Sequence, residues 1–125
     1  MTAGLSAAKA ASILNTYRAT NFTSVSGFVK LHVGDPGAAG TANPSAVTTR
    51  NAISFNAPSA GSMTLSSLAS YTMTTSETIT HVSIWDASTA GNFMESWALS
   101  SGVAVVNGST LTFNTFTLSY SPIAA

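Results

Sequence analysis

At 125 residues and without a single cysteine, the chain has the size of one domain and must stay folded by packing, with neither disulfides nor thiolate chemistry available. Charged residues make up 6% of it, against about 25% in ordinary soluble domains, and four basic residues balance four acidic ones. That balance leaves no basic footprint for nucleic acid, and a surface of Ser, Thr, Ala and Gly suits a subunit packed among copies of itself better than a lone monomer.

Along the chain, Ser6 is placed to cap a helix over 6–18, in which Ala10, Ile13, Leu14 and Tyr17 form one apolar stripe at i, i+3, i+4 and i+7. That helix is expected to pack on its own subunit. No apolar run nears the roughly 20 residues that cross a bilayer, so no membrane insertion is expected. Phe28 to Val33 reads as the first strand, with Val29, Leu31 and Val33 on one face and Phe28, Lys30 and His32 on the other. Gly34-Asp35-Pro36-Gly37 ends it, since Pro fixes φ and Gly supplies the positive φ of a tight reversal. The small-residue stretch from Ala38 to Ser45 then reads as an exposed, mobile loop, from which Ala38 to Ala42 could be removed without loss of folding.

Arg50 to Phe55 is the second strand, with Ile53 and Phe55 inward, and Met63, Leu65 and Leu68 mark a weaker third. Tyr71 and Met73 share a parity ahead of the stretch from Thr78 to Leu99, where two β-branched and aromatic runs flank a polar, Gly-containing break. This reads as the central hairpin of the domain, with Trp85 and Trp97 close across the pair as core anchors beside Phe55 and Phe113. Ser101-Gly102 suggests a further turn into Val103 to Val106, and Asn107-Gly108 a type I′ hairpin. In that register Ala104, Val106, Leu111 and Phe113 share a face, and a β-bulge near Asn114-Thr115 brings Phe116, Leu118 and Tyr120 into step. The resulting expectation is a single all-β domain over 1–125: a jelly-roll-like antiparallel β-sandwich over 28–120, of about seven or eight strands, after one short N-terminal helix.

Chemistry is sparse. His32 and His81 are the only histidines, each on a strand, and two His without a third spaced ligand make a poor metal site, so packing and hydrogen bonding are the expected roles. Asp86 and Glu95 flank the hairpin turn as a carboxylate pair would, yet Asp at the start of a turn is ordinarily a cap. No serine sits in a nucleophile elbow, and the glycines from Gly34 to Gly40 lead into no helix that could hold a phosphate. The expectation is no enzyme, no cofactor, no metal and no catalytic residue.

Four stretches then resemble, in order, segments of the short tailed-bacteriophage proteins labelled tail fibre or minor tail proteins. Leu31-His32-Val33-Gly34-Asp35-Pro36-Gly37 is similar to their LHTADPG segment, and Arg50-Asn51-Ala52-Ile53-Ser54-Phe55 to their R-x-A-V-x-F strand. The run from Thr80 to Asn92 resembles their T-H-V-G-L-W-D-A-x-T-G-G-N hairpin, and Val106 to Phe113 their V-N-A-G-D-T-L-x-F strand. Gly34 stands where they carry a small non-Gly residue, the Asn107-Gly108 turn is one residue shorter, and Pro122 to Ala125 replaces an acidic ending.

The resemblance implies a structural virion protein, made in the host cytoplasm and assembled as a homo-oligomer, a homotrimer in the first instance, on phage tail or capsid proteins. A minor tail or tail-fibre-like role comes first and a capsid decoration protein second; a third reading, a module binding a host surface glycan, rests on the residues instead, with Trp85, Trp97, Phe93 and Tyr71 as its stacking platform. The expected contact surfaces are the loop carrying Asp35, Pro36, Gly37, Ala38 and Asn43 and the turn carrying Ser88, Thr89 and Asn92.

Overall fold

The computed structural model describes residues 3–15 and 27–119. After α1 (Ala7–Asn15) come β1 (Gly27–His32), β2 (Asn51–Phe55), β3 (Ser62–Leu68), β4 (Tyr71–Thr72), β5 (Glu77–Trp85), β6 (Phe93–Val105), β7 (Thr110–Leu111) and β8 (Thr117–Ser119). Six strands form a sheet in the order β6-β5-β1-β2-β3-β8, and β4 pairs with β7 in a two-stranded ribbon, every pairing antiparallel. The all-β, antiparallel architecture with one short helix is as the sequence indicated.

Ser6 caps α1 as expected: its Oγ accepts from the Lys9 amide at 3.1 Å and its carbonyl from the Ala10 amide at 3.0 Å. Just ahead of the helix the chain pairs with β6, the Ser6 amide donating to the Met94 carbonyl and the Ser96 amide to the Gly4 carbonyl, both at 2.7 Å. This short bridge satisfies the first outward-facing groups of an edge strand and sets α1 beside β6 of its own chain. Leu14 is 64% exposed, so only part of the apolar stripe is used; Tyr17 and Arg18 lie outside the described residues.

The pairing register sorts the sheet into two faces. Val29 lies opposite Ile84, Leu31 opposite Val82, and Val82 opposite Trp97, so these side chains share the inner face. Val29, Leu31 and Val82 are wholly buried there, and the β4–β7 ribbon closes over them with Tyr71, Met73 and Leu111. Tyr71 Oη donates to the Val29 carbonyl at 2.5 Å, which lets a phenol lie in the core with its polar atom satisfied. Each such apolar side chain contributes about 1.5–3 kcal/mol by leaving water.

Several expectations are corrected. The Thr78–Leu99 hairpin forms, but at one end of the sheet, with β6 as the edge strand. The two tryptophans do not meet across it. Trp97 faces Val82 on the inner side, whereas Trp85 shares the outer side with Ser83, because three residues along a strand reverse the face. Ser101-Gly102 is no turn: β6 advances five positions from Ala98 to Val103 while β5 moves two, from His81 to Ile79, so these residues belong to a bulge. A Cβ on Gly102 would stand 3.1 Å from Thr78 Cγ2, which explains a glycine at this close approach.

The Asn107-Gly108 turn forms without its hairpin. Only Gly108 has positive φ (85°), so the turn is not type I′, and the Ser109 amide closes it on the Val106 carbonyl at 3.0 Å. Val103 to Val105 is already paired with Glu77 to Ile79, so the returning chain takes β4 as its partner, placing Leu111 opposite Tyr71. Val105 is therefore buried and Val106 is 61% exposed, the reverse of the expected parity. Beyond it, no ladder covers 112–116; this irregular segment, rather than a single bulge, turns both Phe113 and Phe116 inward, their rings 5.1 Å apart. Val33, at 39% exposure, also falls outside the core face expected of it.

Candidate functional site

The outer face of the β5–β6 hairpin is built from the family-like motifs. Trp85 is buried on it, its indole 5.6 Å from the Phe93 ring across the pair. The Arg50 guanidinium, arriving at the start of β2, lies 3.9 Å above the Trp85 ring and donates to the carbonyls of Ala87 at 3.1 Å and Ala90 at 2.5 Å. Behind the ring runs a chain of hydrogen bonds. Trp85 Nε1 donates to Ser83 Oγ at 2.8 Å, Ser83 Oγ lies 2.7 Å from His32 Nε2, and His32 Nδ1 lies 2.8 Å from the Ala42 carbonyl. A carbonyl only accepts, so Nδ1 carries the proton and Nε2 accepts from Ser83, which leaves every member satisfied with a neutral imidazole. Burial holds the His32 pKa below its ordinary value of 6.5, outweighing the Ala42 carbonyl, which favours the cation.

Residues 33–45 fold back over this face and are pinned along their length, contrary to the mobile loop expected. Asp35 Oδ1 accepts from the Gly37 amide at 2.8 Å, Asn43 Nδ2 donates to the Asp35 carbonyl at 2.9 Å, and the Val33 amide donates to the Asn43 carbonyl at 2.9 Å. Pro36 and Ser45 are buried, and Gly40 lies so close to Phe93 that a Cβ would stand 2.4 Å from Cδ1 of that ring. Ser45 Oγ donates to Glu77 Oε1, which ties the end of the loop to β5. Composition suggested mobility because Ala and Gly carry no obvious anchor; the anchors are Asp35, Asn43 and Ser45 at the ends of the stretch, backbone groups within it and the buried His32, brought together only once the loop is folded. Removing Ala38 to Ala42 would therefore take away the Ala42 carbonyl that partners His32 Nδ1.

The turn from Asp86 to Asn92 is braced in the same way. Asp86 Oδ1 accepts from the Asn92 amide at 2.6 Å and Oδ2 from Asn92 Nδ2 at 2.8 Å, and the Asn92 amide above all holds the Asp86 carboxyl below the usual carboxylate range. Ala90 and Gly91 both take positive φ, and a Cβ on Gly91 would meet Asp86 Oδ1 at 2.4 Å. Asp86 is thus a clamp on its own turn, and Glu95 faces the other side of the hairpin beside Trp97, so the two do not form a pair. His32 is fully buried in the hydrogen-bond chain, and among the described residues no group of three or more His, Asp or Glu could hold a metal.

The expected contact residues therefore divide. Ala38, Asn43, Ser88, Thr89 and Asn92 are exposed, carried on braced loops; Pro36 is buried, and Asp35 and Gly37 are partly so and form the brace. The four expected anchors also divide. Trp85 belongs to the outer face, while Phe55, Trp97 and Phe113 join Phe116 and Tyr71 in an inner chain of rings, each 5.1–6.4 Å from the next. Arg50, Ser83 and Gly40 were not among the expected site residues; the arginine opening a strand of the resembling motif was the one available signal. An open groove of about 1330 Å³ runs along the edge strand β6 beside the 112–117 segment, with Trp97, Glu95 and Asn114 from one face and His81 and Asp35 from the other among its lining.

The polar motifs of this small β domain brace two loops, and hydroxyl and amide side chains stand at the exposed loop tips. The family described as Podophage GP4 fiber I protein gp80 matches residues 4–121, and the chain belongs to that family. It is accordingly a podophage fibre protein, a structural tail component by class. No curated protein matches the chain.

Proposed function

We propose that the chain is a minor tail or tail-fibre-like component that assembles as a homotrimer on the particle surface and touches its neighbours through the tips of 35–45 and 86–92. The family match over nearly the whole length carries this reading. Three features support the mode of contact. The tips expose small uncharged side chains, their bases are fixed by backbone hydrogen bonds, and the chain carries too little charge to keep copies apart. A rigid loop loses little entropy on docking, so a modest contact repeated over several copies adds up through avidity.

Locating the chain in a map of the intact particle tests this directly. Density at the tail, with threefold copies and the two loop tips at the contacts, is the expected result. Density over the capsid lattice, at a copy number approaching that of the capsid subunits, would instead make it a decoration protein. Sedimentation of the purified protein as a monomer at all accessible concentrations would remove the homotrimer.

A further inference from the structure

The outer face of the sheet carries a charge that the chain itself leaves unanswered. Lys30 lies on β1 opposite Ser83, and one step beyond Val29 and Asn51 the β1–β2 register brings it opposite Arg50, so two of the four basic residues meet on this face. Like charges set directly opposite each other work against the pairing of their strands. We propose that the two form a docking point for a carboxylate side chain of a different protein beside this one in the particle, held between the Lys30 ammonium and the Arg50 guanidinium.

Three observations carry this. Lys30 is half-buried and makes no hydrogen bond or ion pair with a described residue, while burial, and after it Arg50, hold its pKa below the ordinary 10.5. Arg50 is already oriented: its guanidinium lies 3.9 Å above the Trp85 ring and Nη1 donates to the Ala87 and Ala90 carbonyls, while its other N–H groups have no partner among the described residues. A fork set in place in this way loses little freedom on taking a carboxylate. Finally, the carboxylates of the chain are committed elsewhere. Asp35 accepts from the Gly37 amide, Glu77 from Ser45, and Glu95 lies on the other side of the hairpin with Trp97 and Lys9 beside it. Asp86 favours the Arg50 cation, but its two oxygens accept from Asn92 and one carboxylate cannot balance two cations. A second copy brings only the same four committed groups, so the carboxylate comes from a protein of different sequence. Arg50 holds the foot of the 86–92 turn, which puts the site within reach of a neighbour touching that tip. Only the identity of that neighbour rests on the tail reading.

The test is zero-length carbodiimide cross-linking of intact particles, which joins a lysine amine to a carboxylate in contact with it, followed by mass spectrometry of the linked peptides. The expected result is a link from Lys30 to an Asp or Glu of another protein. No link at Lys30, or links only to carboxylates of this same chain, overturns the proposal. In particles carrying variants, Lys30→Gln is expected to lower the copy number of the chain about tenfold, the effect of one lost charge-assisted hydrogen bond, and Lys30→Arg to restore it. Unchanged incorporation of Lys30→Gln overturns the proposal. The purified Lys30→Gln chain should melt at no lower temperature than the parent, since a repulsion is relieved; a lower midpoint would mean that Lys30 serves the fold, and would overturn it equally. Titration of the purified full chain with sodium acetate and sodium phosphate, against sodium chloride at matched ionic strength, separates the other source of anion. Saturable binding of either at Lys30 without a cross-link in particles means a free anion and no docking. A chain located on the capsid would overturn the tail reading and leave the cross-link standing, whereas a missing cross-link would leave the tail reading untouched.

Discussion

The two faces of one hairpin, β5–β6, have been treated in opposite ways. On the outer face, Trp85 is buried beneath the chain's own residues, stacked with Phe93, covered by Arg50 and hydrogen-bonded through Ser83 to His32. On the inner face, Trp97 sits in a comparable aromatic setting but leaves part of its ring on an open groove. Protonation follows the same division. The outer face holds Asp86 ionised and His32 neutral, each supported by partners, whereas burial raises the Glu95 pKa and so penalises its charge, a penalty the Trp97 indole and Lys9 only partly offset. The outer face, with Trp85, Ser83 and His32 joined in one hydrogen-bond chain, serves as a frame; the inner face leaves part of the Trp97 ring uncovered.

The contrast breaks most readily at the tryptophans. Trp85→Ala is expected to lower stability in urea unfolding by about 3–5 kcal/mol, since it empties a buried site, removes the ring beneath Arg50 and takes one of the two partners of Ser83 Oγ. Trp97→Ala, already part-exposed, should cost less; an equal or larger loss at Trp97 would reverse the assignment of frame and open face. Next in size are two glycines of nearly equal φ. Gly108→Ala, with positive φ but open space around it, should cost about 1–2 kcal/mol through backbone strain alone. Gly40→Ala adds the collision with Phe93, so a further loss of about 1–3 kcal/mol is expected. Equal effects would mean that the 33–45 loop yields freely and is no part of the frame.

Acid separates the faces by sign. The folded-state pKa of His32 is depressed, so the unfolded chain binds more protons below about pH 6.5; stability from this group is complete above that value and is lost as pH falls through the folded pKa. Asp86 behaves likewise at lower pH, below its ordinary 3.8. Glu95 is opposite: its folded pKa is raised above 4.5, so its contribution is complete below 4.5 and is lost as pH rises through the folded value. In denaturation midpoints followed against pH, His32→Gln should flatten the slope just below 6.5, and Glu95→Gln should remove an opposing slope above 4.5. If neither slope changes, the two groups are not tuned by their faces. The smallest effect is expected from Asn114→Ala or Ser88→Ala, each within about 0.5 kcal/mol, since both are exposed and anchor nothing among the described contacts.

Much of this was legible in the residues, and the failures share a cause. Alternation found β1, β2 and the long hairpin, and Ser6 announced its cap, because strand parity and capping are decided within a few residues. The resemblance motifs, Leu31 to Gly37, Arg50 to Phe55 and Thr80 to Asn92, were visible as separate strings; that they interlock at Trp85 was not, since Arg50 lies 35 positions from it in the chain and 3.9 Å from its ring. Asn107-Gly108 correctly signalled a turn and misled about partners. The local signal fixes a reversal, while the choice between Val103–Val105 and Tyr71–Thr72 depends on which ladder is already occupied.

Sequence alone determined the all-β character, the short capped helix, the absence of cysteine and the want of charge, because these follow from composition and short-range pattern. The tertiary structure alone decided which face of the hairpin each tryptophan serves, why a loop of small residues is held still, and where a groove remains open. Those depend on strand order and register, which are set by contacts between residues far apart in the chain.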